Sequence, residues 1–219
     1  MASPGFDIAS CRAQIPILAH TTPLNNCSQA PLTTFTRAAA EEFLESWNSR
    51  GMDWDAWMAE VEQSRHAFAR MINASPDEIG VVSSVSHAVS VVATSIRFDQ
   101  GRDRVVASGA EFPTVGHAWL AQERRGARVT WVPVRDGETM LDDYSRLIDE
   151  RTAVVSSAHA YYLNGFVQDV RAIAQLTRER GALHFVDAYQ SLGAVPIDVK
   201  ELGVDMLASG TLKYLMGTP

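Results

Sequence analysis

From residue 79 onward, short apolar runs alternate with longer stretches whose apolar residues recur at helical spacing. Each apolar run has the length of a buried strand, and each longer stretch has the length of an ordinary helix. This alternation is typical of βαβ units, in which parallel strands form one sheet and helices cover both of its faces. The chain is therefore predicted to be an α/β protein with a three-layer α/β/α arrangement and a mainly parallel sheet.

The same pattern predicts where the elements lie and how the chain is organised. The predicted strands cover residues 79–82, 104–108, 128–134, 152–157, 183–186 and 205–209. The predicted helices cover residues 35–47, 53–72, 87–96, 114–125, 142–149 and 170–180. Residues 1–31 are interpreted as an irregular N-terminal arm, and residues 32–219 as one large domain. The chain stops soon after a strand with no closing helix, so we expect an N-terminal portion of a longer protein or an interrupted chain.

Composition excludes several classes of protein. Of the 219 residues, 46% are hydrophobic, which is enough to bury a core and excludes a mainly disordered chain. The formal net charge of −7 argues against a surface for nucleic acids or anionic membranes, so small-molecule partners are favoured. No apolar run approaches the ~18 residues that span a bilayer. Only Cys11 and Cys27 are present, without zinc-type spacing, and we expect a cytoplasmic protein with no metal site.

Polar side chains follow the predicted strands, at the edge where parallel α/β sheets bind their ligands. The residues at these positions, all polar except Phe112, are Ser83, Ser84, Ser86, His87, Glu111, Phe112, Ser156, Ser157, His159, Asp187, Gln190, Ser209, Thr211 and Lys213. Taken alone, the Asp187–Lys213 pair is compatible with a buried salt bridge. It is also the pair that a pyridoxal phosphate (PLP) site needs, because a lysine forms the Schiff base and a carboxylate keeps the pyridine nitrogen protonated.

The segment 83–88 places hydroxyl side chains at the start of a predicted helix. The N-terminus of a helix attracts phosphate through its unpaired backbone N–H groups and its dipole. Ordinary helix capping by serine explains the same pattern, so the segment alone is weak support for a phosphate site. Together with Asp187 and Lys213, it predicts a phosphate cup for PLP.

From about Leu24 to its end, the chain resembles the fold-type I PLP enzymes of the aminotransferase class V family. The pattern Asp-x-x-Gln within 185–191, followed by Ser-Gly-x-x-Lys-x-Leu-x-Gly within 205–217, carries the resemblance. The segments 24–31 and 83–88 look like the family's N-terminal strand and loop and its phosphate turn. The family includes cysteine desulfurases, selenocysteine lyases, kynureninases and isopenicillin N epimerase-like proteins. The resemblance implies the PLP-dependent transferase-like large domain without its C-terminal small domain.

The resemblance also implies a role for each residue that matches the family's pattern. Lys213 and Asp187 would be the catalytic residues, with Lys213 attached to the cofactor and Asp187 paired with the pyridine nitrogen. Gln190 would hydrogen-bond the phenolic oxygen of the cofactor. The phosphate would be held by backbone N–H and hydroxyl groups of Ser84, Val85 and Ser86.

Some positions depart from the residues that are usual in the family. Phe112 stands where cysteine desulfurases carry a histidine, and its ring can stack on the cofactor but cannot transfer a proton. A leucine replaces the histidine that usually precedes the lysine, so Ser209 or Thr211 would supply the phosphate contact expected there. After the predicted strand 152–157 the alignment is ambiguous. There His159, with Asn164 as the alternative, is the candidate contact of the ring oxygen.

Several functions stay open at this point. A PLP enzyme acting on an amino acid is favoured, with C–S lyase or desulfurase-like chemistry ahead of class V aminotransferase or epimerase chemistry. Phe112 points instead toward the epimerase-like or kynureninase-like branches. A non-catalytic PLP-fold interaction protein is the second hypothesis, whereas a Rossmann dehydrogenase would need a GxGxxG segment that the chain lacks. The resemblance implies a homodimer, with the substrate-carboxylate arginine and any reactive cysteine beyond residue 219.

Overall fold

The computed structural model describes residues 7–99 and 101–218. Residues 1–6 of the predicted N-terminal arm, and Pro219 at the predicted end, lie outside the described residues. The chain is divided into two compact units. The first unit takes in the chain up to Glu62 and again from Thr211, and the second runs from Gln63 to Gly210.

The regular elements are numbered in chain order. The α-helices of the described residues are α1 (Ile8–Ala13), α2 (Thr34–Arg50), α3 (Trp54–Ile72), α4 (Val85–Ser95), α5 (Pro113–Leu120), α6 (Leu141–Leu147), α7 (Val170–Glu179) and α8 (Val199–Leu202). The strands are β1 (Arg104–Ser108), β2 (Arg128–Val132), β3 (Val134–Arg135), β4 (Glu138–Thr139), β5 (Thr152–Ala158), β6 (Leu183–Asp187) and β7 (Met206–Ala208). Short 3-10 helices span Pro16–Ala19, Pro76–Glu78 and Ala121–Arg125. None of these described helices combines the length and apolarity needed to cross a membrane.

The second unit is built on a five-stranded sheet in the order β2-β1-β5-β6-β7, with every neighbouring pair parallel. The chain first places β2 on one side of β1 and later places β5 on the other side. Such a reversal leaves a crevice outside the carboxyl ends of the two strands, which is where open α/β sheets bind ligands. The predicted parallel sheet is therefore confirmed.

Successive residues of a strand point to opposite faces of the sheet, so both faces carry apolar side chains. Helices cover each face. On one face, Val105 of β1 belongs to an apolar cluster around Trp119 of α5, which is fully buried. On the other face, Val106 packs in a separate cluster with Tyr144 of α6 and Ile173 of α7. The central strand β5 is buried along its whole length, as expected for a parallel strand between two helical layers. The predicted three-layer arrangement is confirmed.

The first unit joins α2 to the start of α3. Helix α2 begins after the N-cap residue Thr33, whose Oγ1 accepts a hydrogen bond from the N–H of Thr36 at 3.0 Å. The rings of Phe43 and Trp57 pack with their centroids 5.2 Å apart. The indole N–H of Trp57 donates to Oγ of Ser46 at 3.1 Å. These contacts hold the two helices together through aromatic packing and one side-chain hydrogen bond.

The predicted strand at residues 79–82 is wrong. This segment forms no strand, and the side chains of Val81 and Val82 are exposed. The carbonyl oxygen of Ile79 accepts a hydrogen bond from Nε of Arg65 at 2.9 Å. An apolar run becomes a strand only where a neighbouring strand can take its backbone groups, and here a side chain takes one of them.

Within residues 1–31, the predicted irregular conformation is wrong for two described segments, whereas the division into an arm and a domain stays a prediction. Helix α1 begins after Asp7, whose Oδ1 accepts a hydrogen bond from the N–H of Ser10 at 3.1 Å. A 3-10 helix follows at Pro16–Ala19. The segment 24–31 contains a turn rather than the strand that the resemblance implies.

Candidate active site

The carboxyl ends of β1 and β5 carry side chains that contact one another where the strand order reverses. Ser156 of β5 donates from its Oγ to Oε1 of Glu111, in the loop after β1, at 2.7 Å. The ring of Phe112 is 42% exposed and meets Tyr162 edge to face, with the ring centroids 5.2 Å apart and an interplanar angle of 79°. The loop after β1 is therefore joined to β5 by a polar contact and to the loop after β5 by an aromatic contact.

Asp187 is a buried carboxylate at the end of β6, with 6% of its surface exposed. Its Oδ1 accepts a hydrogen bond from the backbone N–H of Tyr189 at 2.8 Å. Its carbonyl oxygen accepts from the N–H of His159 at 2.8 Å, and the N–H of Ala188 donates to the carbonyl oxygen of Ala208 at 2.8 Å. Burial and the negative charge of Asp187 raise the pKa of Tyr189. The backbone of the sheet thus fixes a negative charge at this edge.

His159 is a buried histidine whose tautomer follows from its contacts. Its Nδ1 lies 3.0 Å from Oγ of Ser191, and that hydroxyl donates to the carbonyl oxygen of Ala188 at 3.2 Å. Because the hydroxyl proton is used in this way, the Ser191 oxygen accepts from Nδ1–H and leaves a lone pair on Nε2. Burial lowers the pKa of His159 from 6.5, so the ring is neutral at pH 7. Asn164, the alternative candidate, donates from Nδ2 to a carbonyl oxygen in the turn between β3 and β4 at 2.9 Å.

Glu111 is a buried acid with a strongly perturbed titration. Its pKa is raised from 4.5 to about 8, first by burial and then by the charge of Asp187, against an opposing effect of the Ser156 hydroxyl. The loop from β1 places this acid over the end of β5, next to the strand that ends in Asp187. A carboxyl group that titrates near neutral pH beside a second carboxyl group is typical of functional sites.

Helix α4 begins at the segment that the sequence predicts to hold a phosphate. Ser84 is the N-cap, and its Oγ accepts a hydrogen bond from the N–H of His87 at 3.1 Å. Val85 and Ser86 open the first turn, where the backbone N–H groups of an α-helix have no intrahelical partners. Oγ of Ser86 donates to Oγ1 of Thr114 in α5 at 3.0 Å. This helix end therefore offers backbone donors and the positive end of the helix dipole to an anion.

Gln190 and Ser209 follow the neighbouring strands β6 and β7. Gln190 is half-buried in the turn after β6. Oγ of Ser209 donates to the carbonyl oxygen of Ala188 at 3.3 Å, so the residue is held beside the end of β6. The ring of Tyr189 lies so close to Gly210 that a Cβ there would clash with it. This close approach gives a physical reason for the glycine of the Ser-Gly-x-x-Lys pattern.

Lys213 and Thr211 belong to the first unit, in the loop that follows β7 in the chain. Lys213 is 8% exposed, whereas Thr211 is exposed. The N–H of Ala30 donates to the carbonyl oxygen of Leu212 at 3.0 Å. Oγ1 of Thr36 donates to the carbonyl oxygen three residues after Lys213 at 2.7 Å. The N-terminal part of the chain therefore holds the backbone on both sides of Lys213.

The partners of several residues at the sheet edge do not follow from the sequence. Glu111 and Ser156 stand among the strand-end polar residues, but no role follows for them from sequence alone. An acidic residue three positions after the end of an apolar strand is the signal that could have drawn attention to Glu111. Ser191 and Tyr162 carry no comparable signal, because their contacts with His159 and Phe112 join distant parts of the chain.

Comparison with known proteins matches residues 27–219 to the family model described as "Aminotransferase class-V". An uncharacterized aminotransferase, YcbU, from Bacillus subtilis (strain 168) is 41% identical over 208 residues, which cover 95% of this chain and 55% of the relative. A probable cysteine desulfurase from Methanothermobacter thermautotrophicus is 33% identical over 214 residues, which cover 94% of this chain and 53% of the relative. The chain spans about half the length of these curated relatives.

A solved structure shows the same fold. The apo structure of a cysteine desulfurase from Thermococcus onnurineus NA1 has a TM-score of 0.86 and 25% sequence identity, and the match covers 100% of this chain and 56% of that one. The fold expected from the resemblance is therefore confirmed. Because the family model matches most of the sequence, the chain belongs to the aminotransferase class-V family.

Proposed function

We propose that the protein is a PLP-dependent enzyme that acts on an amino acid, with C–S lyase or desulfurase-like chemistry. The observation that carries the proposal is Asp187, a buried carboxylate that the sheet backbone fixes at the carboxyl edge of parallel strands. A carboxylate in that position suits the protonated ring nitrogen of PLP. Family membership, and a relative named as a probable cysteine desulfurase, support the same function.

The described residues of the second unit fit the separate parts of PLP. The N-terminus of α4, a helix of 11 residues, offers donors and positive potential to the phosphate. Phe112 presents a partly exposed ring that is held edge to face by a neighbouring tyrosine, as a stacking residue requires. Gln190 has a side-chain amide that can donate to the ring oxygen, and His159 offers an acceptor at Nε2. Asp187 supplies the negative charge.

When bound, PLP supplies an electron sink that stabilises negative charge at the α-carbon of an amino acid. Asp187 would keep a proton on the ring nitrogen through its negative charge. Nζ of Lys213 would be the amine that holds the cofactor and that takes up the proton from the α-carbon. Phe112 has no ionisable group, so it would orient the ring, and proton transfer would fall to Lys213. Ser209 and Thr211 are the candidates for an additional phosphate contact.

Two observations favour a second candidate, an aminotransferase or an amino-acid epimerase. Phe112 occupies the position of a protonatable residue in desulfurases, and the relative at 41% identity is named an aminotransferase. The candidates differ in their products from amino acids: release of sulfur from cysteine, transfer of the amino group to a keto acid, or loss of chirality. Assays of all three with the full-length protein separate them. A third alternative, a non-catalytic interaction protein, would show none of these products.

Cofactor binding is tested by titrating the purified 219-residue chain with PLP and recording the near-visible absorbance. Wild-type protein should develop the band of a covalently attached cofactor. Lys213→Ala should not develop it, whereas Lys200→Ala is the matched control and should, because Lys200 is exposed on the short helix α8. A wild-type chain without the band, or an unchanged band in Lys213→Ala, would contradict the proposal.

We further propose a cytoplasmic homodimer in which residues 32–219 are the PLP-binding large domain and residues 1–31 an arm. Exposed aromatic side chains in the first unit, such as Phe35 and Trp47 of α2, offer apolar surface to a second copy. The low cysteine content suits a reducing compartment. Light scattering should give the mass of a dimer for the full-length protein, and cell fractionation should place it with soluble cytoplasmic markers. The mass of a monomer would contradict the proposed homodimer, and recovery outside the cytoplasm would contradict the proposed location.

A further inference from the structure

Glu111 is a buried acid at the sheet edge that the mechanism above does not use. Its surface is 7% exposed. Its Oε1 accepts a hydrogen bond from Oγ of Ser156 at 2.7 Å, whereas Oε2 is buried and has no hydrogen-bond partner within residues 7–99 and 101–218. An ionised carboxylate would leave a charged oxygen without a donor. That arrangement is far less favourable than a buried neutral group in the same place.

Asp187 is the second carboxyl group at this edge, and the two groups differ in their hydrogen bonds. Oδ1 of Asp187 accepts from a backbone N–H at 2.8 Å, and such bonds favour the ionised form. Glu111 accepts from a serine hydroxyl, which favours the ionised form less strongly. Two buried like charges also disfavour each other, so one of the two groups keeps a proton. The hydrogen bonds place the negative charge on Asp187 and the proton on Glu111.

We infer that Glu111 is a positioning residue that holds a proton on its carboxyl group and thereby confines the negative charge of the pair to Asp187. The inference rests on the proposed function for its consequence, because the charge on Asp187 is what would keep the ring nitrogen of PLP protonated. A second negative charge on Glu111 would raise the pKa of Asp187 and so draw a proton onto the Asp187 carboxyl group. Glu111 therefore acts through Asp187 rather than on the reacting atoms.

Several titratable groups face Glu111 in the described part of the second unit. They are Asp187 at the end of β6, Tyr144 of α6 and Tyr161 in the loop after β5. Burial is the largest cause of a raised pKa at both tyrosines, so both phenols are neutral at neutral pH. Asp187 is thus the charged member of this set, and its charge opposes ionisation of Glu111.

The inference is tested by infrared spectroscopy of the full 219-residue chain without PLP. Wild-type protein should show the C=O stretching band of a protonated carboxyl group at neutral pH, and the band should fade as the pH rises through about 8. Glu111→Gln should lack this band. Glu123→Gln, the same change at an exposed glutamate, is the matched control and should keep it. Absence of the band in wild type, or its persistence in Glu111→Gln, would overturn the inference.

Two further variants test the link to Asp187. Asp187→Asn removes the neighbouring charge, so the band of Glu111 should titrate about 1–3 pH units lower, the usual effect of one nearby charge. An unchanged midpoint would overturn the link. With PLP added, Glu111→Gln should keep the near-visible band because glutamine mimics the neutral acid and can still accept from the Ser156 hydroxyl. Glu111→Ala is equally uncharged but also loses that hydrogen bond, so it should lose much of the band. Equal loss in both variants would overturn the positioning role. Failure of the proposed function shows separately, as absence of the near-visible band in a wild type that still has the infrared band.

Discussion

The pH dependence of stability should reveal the proton on Glu111 directly. Burial and the charge of Asp187 raise the pKa of this side chain from 4.5 to about 8 in the folded protein. In the unfolded chain the same group returns to its ordinary pKa. Between these two values, the folded state therefore holds one proton that the unfolded state has released.

The sign and size of the effect follow from this difference. Stability changes with pH in proportion to the protons bound by the unfolded state minus those bound by the folded state. Here that difference is negative, so the contribution of Glu111 makes the protein less stable as the pH rises from 4.5 to about 8. One proton corresponds to about 1.4 kcal/mol per pH unit, so two pH units within this window correspond to roughly 2–3 kcal/mol.

Urea unfolding at several pH values between about 5.5 and about 7.5 measures this loss of stability, because that range lies between the unfolded and folded pKa values of Glu111. Relative to Glu111→Gln, the wild type should lose roughly 2–3 kcal/mol of unfolding free energy over this range. His184 is buried with its pKa lowered to about 3, so its own contribution makes the protein less stable below pH 6.5. That contribution is the same in both proteins and cancels in the comparison. Glu123→Gln should follow the wild type, and parallel curves for wild type and Glu111→Gln would refute the reasoning.

Substitutions at three positions have expected outcomes that separate the parts of the site. Asp187→Asn keeps an acceptor for the N–H of Tyr189 but loses the charge. The activation barrier of the full-length protein should therefore rise by several kcal/mol, measured as a fall in kcat. A normal kcat would contradict the role of Asp187. Phe112→Ala should weaken PLP affinity by roughly 0.5–1.5 kcal/mol beyond the lost contact area, whereas Phe112→His should retain it, as measured by titration. Ser84→Ala removes the N-cap of α4 and should reduce the unfolding free energy by about 1 kcal/mol in urea, and no change would show that the cap contributes nothing.

Alternation of apolar runs predicts the sheet well where strands are buried on both faces. The bounds of β1, Arg104–Ser108, follow from sequence because turn residues lie on both sides of its apolar run. Residues 79–82 are also a short apolar run between turn residues, yet they form no strand. The conformation of this segment depends on Arg65, which donates to the carbonyl oxygen of Ile79. It also depends on the lack of a neighbouring strand among the described residues. Such a tertiary contact is not encoded in the local pattern.

The β3–β4 hairpin was predictable and was missed. Asp136 and Gly137 connect the two strands with φ values of 51° and 86°, as a type I′ turn requires at both central residues. The Asp-Gly pair is a strong signal for this turn. The strands themselves have two residues each, too few to show the alternation on which the other strand predictions rest.

For the candidate site, sequence points to single residues and the fold supplies their partners. Asp187 stands out because it ends an apolar strand. The hydrogen bond between Glu111 and Ser156, and the one between His159 and Ser191, join residues 45 and 32 positions apart. Only the parallel order of β1, β5 and β6 brings these residues to one edge. The charge state of the site therefore depends on tertiary structure.

Covalent attachment of PLP tests the central claim most directly. The chain has only two lysines, Lys200 and Lys213, so the attachment site can be identified without ambiguity. The purified protein is incubated with PLP, reduced with borohydride and digested, and the labelled peptide is found by mass spectrometry. The account predicts a label on Lys213. A label on Lys200, or no label on either lysine, would contradict it.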